Sequence, residues 1–251
     1  MLAAKCGQHC ADHRNLGTTL ARLNLYEWDN ESSHDRAQQR AHNKMTCNNM
    51  ANAHNSQPNS QSAQVENARR RLRPEDCALL VIDIQRKLLP PIHEGERLVR
   101  NAQLLIRLAN ILKLPVIATT QYKKGLGDVV PEIASLLPAS PAFDKLQFGC
   151  FGDQPFCAAL KKIGPARNTL LLCGMETHIC VMQTALGALE GGYLVHVASD
   201  AVSSRSELNW RAGLERMQAA GALLSSTEMM IYELLGASGT PEFKEMLQYL
   251  K

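Results

Sequence analysis

The chain contains 251 residues, of which 45% are hydrophobic and 20% charged, and its formal net charge at pH 7 is +3. This length suffices for one large domain or two small ones, and the composition is that of an ordinary globular protein. The small net charge argues against nucleic acid or an anionic membrane as the partner. No apolar run reaches the roughly 18 residues of a membrane span.

The eight cysteines form no C-x-x-C pair, and no secretory signal precedes them. This pattern indicates free thiols in a reducing compartment rather than a zinc or disulfide framework. We therefore expect a cytoplasmic protein, with a mitochondrial location as the alternative if the N-terminal segment directs targeting.

Residues 1–74 are rich in Asn, Gln, His, Ser and Arg, and the stretch 34–64 contains almost no aliphatic side chain. Such a segment buries too little apolar surface to offset its ordering entropy, so we expect a disordered polar extension. The arginines between 69 and 73 fit a solvated linker better than an RNA-binding site. Residues 75–251 are expected to form the folded domain.

From residue 76 onward, short apolar runs alternate with segments that show helical periodicity, which predicts βαβ units and a parallel sheet. The predicted strands are 77–83, 114–119, 142–145, 169–174, 193–199 and 222–225. The predicted helices are 96–112, 128–137, 154–163, 177–190, 207–220, 227–235 and 241–250.

Polar side chains follow the carboxyl ends of these strands, where parallel sheets bind ligands. Asp83 ends the first strand, Lys145 ends the third, and Cys180 lies where the fourth strand turns into its helix. A carboxylate, an ammonium and a thiol are therefore predicted to meet at one edge of the sheet. Because a helix N-terminus and a nearby cation both favour a thiolate, we expect a solvent-facing Cys180 with a lowered pKa.

Three segments together resemble the isochorismatase-like cysteine hydrolases: 81–85 (VIDIQ), 143–148 (FDKLQF) and 174–181 (GMETHICV). Two more, 121–127 (QYKKGLG) and 130–132 (VPE), are similar to the subgroup of isochorismatase domain-containing proteins and its bacterial relatives. The resemblance runs from Asp76 to Lys251. It implies a Rossmann-like three-layer sandwich with a six-stranded parallel sheet in the order 3-2-1-4-5-6.

The resemblance also implies an Asp83–Lys145–Cys180 triad that hydrolyses a C–N bond, of amide or imide type, in a small molecule. It further implies a cis peptide between Met175 and Glu176, with the backbone N–H groups of Glu176 and Cys180 as oxyanion hole. Gln85, Tyr122 and Phe148 are candidates for the pocket wall. Relatives form dimers and larger assemblies, so a homo-oligomer is expected.

The chain differs from two kinds of related enzyme, and each difference argues against one activity. Metal-binding nicotinamidases carry an Asp-x-His cluster after the second strand, where this chain has Gln121, Tyr122 and Lys123, so no metal and no other cofactor is expected. True isochorismatases typically lack the nucleophilic cysteine, so Cys180 argues against that activity. The alternative from another class is a catalytically silent oligomeric scaffold or interaction protein of the same fold.

The polar extension should be dispensable, because the apolar pattern begins at Cys77. A chain that starts near Val65 is expected to be as soluble and to melt at the same temperature as the full chain. Thermal unfolding of both proteins, side by side, measures this. A large drop in melting temperature on truncation would show that the extension packs on the domain.

Overall fold

The computed structural model describes residues 60–139 and 142–250. Six parallel strands form one sheet in the order β3-β2-β1-β4-β5-β6, which confirms the predicted topology. The strands are β1 (Cys77–Ile82), β2 (Val116–Gln121), β3 (Phe143–Lys145), β4 (Thr169–Met175), β5 (Leu194–Ser203) and β6 (Leu223–Ser225). The chain reverses its direction of progress across the sheet between β1 and β4, so the switch point lies between these two strands.

Helices cover both faces of the sheet. They are α1 (Ser60–Arg69), α2 (Gly95–Ile111), α3 (Lys123–Leu126), α4 (Pro131–Ala134), α5 (Gln154–Lys162), α6 (Met182–Glu190), α7 (Glu207–Ala219), α8 (Thr227–Leu235) and α9 (Pro241–Met246). Short 3-10 turns occupy Pro74–Asp76 and Cys150–Gly152, and a π-helical turn occupies Thr177–Val181. None of the helices in the described ranges has the length and apolar character needed to cross a membrane.

Strand β1 is buried along its whole length because its side chains alternate between two apolar cores. Leu79 and Val81 pack with residues of α2, α8 and α9 on one face. Leu80 and Ile82 pack with residues of α5, α6 and α7 on the other. The result is a helix–sheet–helix sandwich, as expected for a parallel sheet.

The segment predicted as a helix over 128–137 contains only the single turn α4. Val130 donates its N–H to the Ile84 carbonyl at 3.0 Å, and Val129 forms an isolated bridge with Gln85. Residues 128–130 therefore stay extended beside the chain that follows β1, and the helix begins only at Pro131, which suits a first helical position. The prediction of a short helix over 128–137 was therefore wrong in its bounds, because the helix covers only Pro131–Ala134.

Strand β5 runs four residues past its predicted end, to Ser203, because it resumes pairing with β4 after a register shift. Asp200 consequently does not end the strand at the edge of the sheet. Its Oδ1 accepts hydrogen bonds from the N–H and the hydroxyl of Thr227, at 2.7 and 2.8 Å. Asp200 thus stabilises the start of α8, where Ser226 is the N-cap residue.

Part of the predicted extension has defined structure. Helix α1 lies inside residues 1–74, and Leu72 is 5% exposed, with its N–H bonded to Glu233 Oε1 at 2.9 Å. Leu72 is the apolar residue among four arginines at 69–73, and it packs into the core on the face of the sheet that α2, α8 and α9 cover. The rest of that expectation, over residues 1–59, falls outside the described residues.

Two glycines permit the close approach of the elements around the switch point. Gly174 has a φ of +124°, and a Cβ there would lie 2.0 Å from the carbonyl oxygen of Ile82 in β1. Gly213 brings α7 against the π-helical turn, where a Cβ would lie 2.9 Å from the backbone N of His178. The tight contact therefore depends on a missing side chain at both positions.

Gly174→Ala is expected to destabilise the fold by roughly 2–5 kcal/mol, because a positive φ costs about 1–2 kcal/mol and overpacking adds about 1–3 kcal/mol. Urea unfolding measures the free energy. Gly164→Ala is the matched control, since Gly164 has a φ of +99° with no atom within 4 Å of the added Cβ. Equal losses for the two variants would contradict the proposed contact with Ile82.

Candidate active site

A buried ion pair forms the centre of the site. Lys145 Nζ donates to Asp83 Oδ2 at 2.6 Å, and both side chains are fully buried. Asp83 directly follows β1 and has a left-handed backbone with a φ of 52°, whereas Lys145 ends β3. Strand β2 lies between β1 and β3, so the pair spans the carboxyl ends of three strands.

Strand β2 supplies two further contacts from alternate residues, whose side chains lie on one face of a strand. Thr119 Oγ1 donates to Asp83 Oδ1 at 2.7 Å, and Gln121 Oε1 accepts from Lys145 Nζ at 2.9 Å. The intervening Thr120 instead bonds Asp144 at 3.0 Å. Both charges of the pair therefore have a second hydrogen-bond partner, as buried ions require.

The Gln85 side chain bonds three main-chain groups next to the ion pair. Its Oε1 accepts the Gln121 N–H at 2.7 Å, and its Nε2 donates to the carbonyls of Gln121 and Gly127, at 3.1 and 2.7 Å. Gln85 is fully buried, and these contacts are all to main-chain atoms. Its side chain thus fixes the end of β2.

Cys180 lies in the π-helical turn after β4, beside the ion pair, and is 5% exposed. Burial, and next the negative charge of Asp83, raise the pKa of the Cys180 thiol, while the Lys145 ammonium opposes them. The expectation of a solvent-facing thiol with a lowered pKa was therefore wrong. Desolvation and a neighbouring carboxylate both disfavour a thiolate, and here they outweigh the cation.

The charge of Lys145 is retained in spite of its burial. Burial alone lowers the pKa of Lys145, but electrostatic attraction, first by Asp83 and then by the two nearby cysteines, exceeds this effect. The net pKa of Lys145 is raised. The ammonium is therefore the fixed positive charge of the site.

A second thiol lies close by. Cys150 begins the 3-10 turn after β3 and is fully buried, and burial raises its pKa to about 11. The Thr184 hydroxyl lies 3.2 Å from Cys150 Sγ and donates to the Cys180 carbonyl at 2.6 Å. Thr184 thus joins the turn that follows β3 to the turn that carries Cys180.

The peptide bond between Met175 and Glu176 is cis. Met175 is fully buried, and Glu176 precedes the π-helical turn. Glu176 Oε2 accepts from the N–H and from Nε of Arg205, at 3.2 and 2.9 Å. The Glu176 side chain is therefore held by the loop before α7, and only its backbone belongs to the turn with Cys180.

The two aromatic candidates for a pocket wall are exposed. Tyr122 is 39% exposed and Phe148 is 43% exposed, just after β2 and β3 respectively. The Tyr122 ring lies against Gly125, where a Cβ would be 2.3 Å from its Cε1 atom. Both rings therefore lie on the rim of the sheet edge that holds the ion pair.

Within the ranges 60–139 and 142–250, no group of three or more His, Cys, Asp and Glu side chains is placed to hold a metal ion. At the position where the metal-binding nicotinamidases carry their first ligand, Gln121 contacts Lys145 instead.

Sequence reasoning missed Thr119, Gln121, Thr184 and Cys150. The signal for the first two was the alternation within 116–121 (VIATTQ), which places residues 119 and 121 on one face. The predicted strand ends at 119 and so does not include Gln121. Thr184 and Cys150 carry no local signal, because only the packing of α6 on the turn after β3 brings them together.

The fold and the site define a parallel α/β protein with a buried acid–lysine pair beside a thiol at the switch point of the sheet. The chain belongs to the isochorismatase family, since the model of the isochorismatase domain matches residues 77–229. This family indicates hydrolase activity.

Several proteins are similar to the chain over most of their length. A secreted isochorismatase effector of Phytophthora sojae is 37% identical over 184 residues, which cover 72% of this chain and 87% of the relative. Isochorismatase domain-containing protein 2B of Mus musculus is 38% identical over 181 residues, with 72% and 84% covered.

Solved structures show the same fold. MAR1 ribonuclease from Caenorhabditis elegans is 39% identical with a TM-score of 0.67, and the match covers 72% of this chain and 92% of that one. YcaC from Escherichia coli, described as an octameric hydrolase of unknown specificity, is 28% identical with a TM-score of 0.64 and covers 78% and 89%.

The buried thiols should make the fold sensitive to alkali. Burial raises the pKa of Cys77 and Cys173 to about 12 and that of Cys150 to about 11, from an ordinary 9.0, and the pKa of Cys180 is also raised. The unfolded chain therefore loses protons first, so stability is full below pH ~9 and falls above it. At pH ~10 each thiol accounts for about 1.4 kcal/mol, or roughly 6 kcal/mol for the four.

Urea unfolding between pH 8 and 10 measures this loss. Cys173→Ala is the control variant, because Cys173 is fully buried in β4 and its pKa is shifted by burial alone. That variant should lose about a quarter of the alkaline dependence. A free energy of unfolding that stays constant up to pH 10 would contradict the raised thiol pKa values.

Proposed function

We propose that the protein is a cysteine hydrolase that cleaves a C–N bond, of amide or imide type, in a small molecule through a thioester intermediate. Cys180 is the nucleophile, Asp83 the general base and acid, and Lys145 the fixed positive charge. The observation that carries the proposal is the fully buried Asp83–Lys145 pair at 2.6 Å beside the Cys180 thiol.

The raised pKa of Cys180 determines when the thiol loses its proton during the proposed reaction. The resting thiol is protonated at neutral pH, so its proton must leave as the sulfur attacks the carbonyl carbon. Asp83 lies beside the thiol and accepts this proton. Lys145 then faces a thiolate that bonds to carbon, and the sulfur's negative charge passes to the carbonyl oxygen.

The backbone N–H groups of Glu176 and Cys180 are proposed to donate to this oxyanion. When the tetrahedral intermediate collapses, the C–N bond breaks and Asp83 returns its proton to the leaving nitrogen. Water then attacks the thioester and gives its proton to Asp83. The second collapse breaks the C–S bond, releases the carboxylic acid and returns the proton to Cys180.

Assembly is the second part of this proposal. We infer that the chain forms a homo-oligomer, and the octameric YcaC of E. coli supports this inference. The exposed Tyr122 and Phe148 are candidates for contact with either the substrate or a second subunit. The alternative of a silent scaffold of the same fold predicts an oligomer without turnover.

A panel of small amides and imides, tested with purified full-length protein, identifies a substrate. Asp83→Asn keeps the shape of the side chain but cannot accept the thiol proton. We expect turnover to fall by at least ~10²-fold, the scale of a lost general base. Circular dichroism and the melting temperature establish that the variant is folded.

Asp144→Asn is the matched control, because this neighbouring carboxylate bonds Thr120 and the Lys123 N–H rather than the ion pair. It should retain wild-type turnover, whereas Cys180→Ala should have none. Full turnover by Asp83→Asn on a confirmed substrate would exclude Asp83 as the base. Absence of turnover over the whole panel, with an unreactive Cys180, would favour the scaffold.

A further inference from the structure

The Lys145 ammonium has three N–H donors, and the described residues accept two of them. Asp83 Oδ2 takes one at 2.6 Å and Gln121 Oε1 takes another at 2.9 Å. A second acceptor holds the rotation of the ammonium about its C–N bond more firmly than one acceptor alone. Because an ammonium is tetrahedral, a second acceptor fixes the direction of the third N–H.

Gln121 is itself held so that only its oxygen can face Lys145. Its Nε2 donates to the Leu146 carbonyl at 2.8 Å, which assigns the orientation of the amide. Its backbone N–H and carbonyl are both bonded by the Gln85 side chain, at 2.7 and 3.1 Å. Gln121 is 5% exposed, so water competes little for these contacts.

We propose that Gln121 is a positioning residue that aims the third N–H of Lys145 at Cys180 and at the oxygen that reacts there. This role rests on the proposed function, since it acts through Lys145 on the nucleophile. It also gives a reason for an amide at this position. A neutral acceptor orients the ammonium without reducing the positive charge that the forming thiolate requires.

A carboxylate at the same position would act differently. It would compete with Asp83 for the ammonium and add a negative charge near a sulfur that must also become negative. An apolar residue would leave the Leu146 carbonyl without its Gln121 donor and the ammonium oriented by Asp83 alone. Both changes make ionisation of the Cys180 thiol harder, by different routes.

Alkylation of Cys180 measures this effect without a known substrate. Native full-length protein is treated with iodoacetamide over a range of pH, and modification at Cys180 is followed by peptide mass spectrometry. We expect Gln121→Leu to slow the labelling of Cys180 about tenfold at a fixed pH, and Gln121→Glu to shift its pH dependence upward by about one pH unit. Lys145→Ala should slow labelling at least as much as Gln121→Leu.

The direction of the change separates positioning from structure. If Gln121 only supported the fold, its replacement would loosen the site and expose the buried thiol, so Cys180 would react faster. Gln103→Leu is the control, because the Gln103 amide also bonds a carbonyl, that of Glu132 at 3.0 Å, but away from the site. It should leave the labelling of Cys180 unchanged.

The outcomes are distinguishable. Wild-type labelling that responds to Lys145→Ala but not to either Gln121 variant overturns the role of Gln121 alone. Faster labelling in both Gln121 variants also overturns it. A wild-type Cys180 that does not react in the folded protein, or that reacts at the same rate in Lys145→Ala, overturns the proposed nucleophile and the role of Gln121 with it.

Discussion

The buried Asp83–Lys145 pair is the constraint on which the rest of the site depends. Removing each ion from water costs several kcal/mol, so the pair is tolerated only where its geometry is good and its remaining hydrogen bonds are made. The structure meets this condition with Thr119 on the carboxylate and Gln121 on the ammonium. Strand β2 pairs with β1 on one side and with β3 on the other. It also carries Thr119 and Gln121, the two neutral groups that bond the ion pair.

The same pair determines how Cys180 can react. A thiol at a helix N-terminus near a cation is usually expected to ionise easily, but Asp83 lies beside this thiol and burial removes the solvent that would stabilise its charge. The site thus holds a protonated thiol next to a carboxylate. In such an arrangement the thiolate forms only when the thiol proton leaves, and the Asp83 carboxylate lies where it can accept that proton.

The strand order and the grouping of Asp83, Lys145 and Cys180 could be predicted from the sequence. Three short segments resemble one family, and each lies at the carboxyl end of a predicted strand. The sequence did not allow the sign of the Cys180 pKa shift to be predicted. Exposure and the distance to a carboxylate are tertiary quantities, whereas a helix N-terminus is visible in local sequence. Gln121 was missed for a smaller reason, since strand β2 runs two residues farther than its apolar pattern. The helix predicted to begin at residue 128 begins only at Pro131, because residues 128–130 bond the chain after β1 instead.

Two glycines near the switch point let the elements around Asp83 and Cys180 pack closely. Gly174 lets β4 approach the end of β1, and Gly213 lets α7 press on the turn that carries Cys180. The two glycines thereby bring β4 against the strand that precedes Asp83 and α7 against the turn that contains Cys180. Rotation of the ammonium is limited by Gln121, and movement of Gln121 is limited by Gln85. Each charge of the buried pair thus has a neutral hydrogen-bond partner that is itself on the scaffold of β2, and such a pre-organised arrangement is the kind that can stabilise a developing charge.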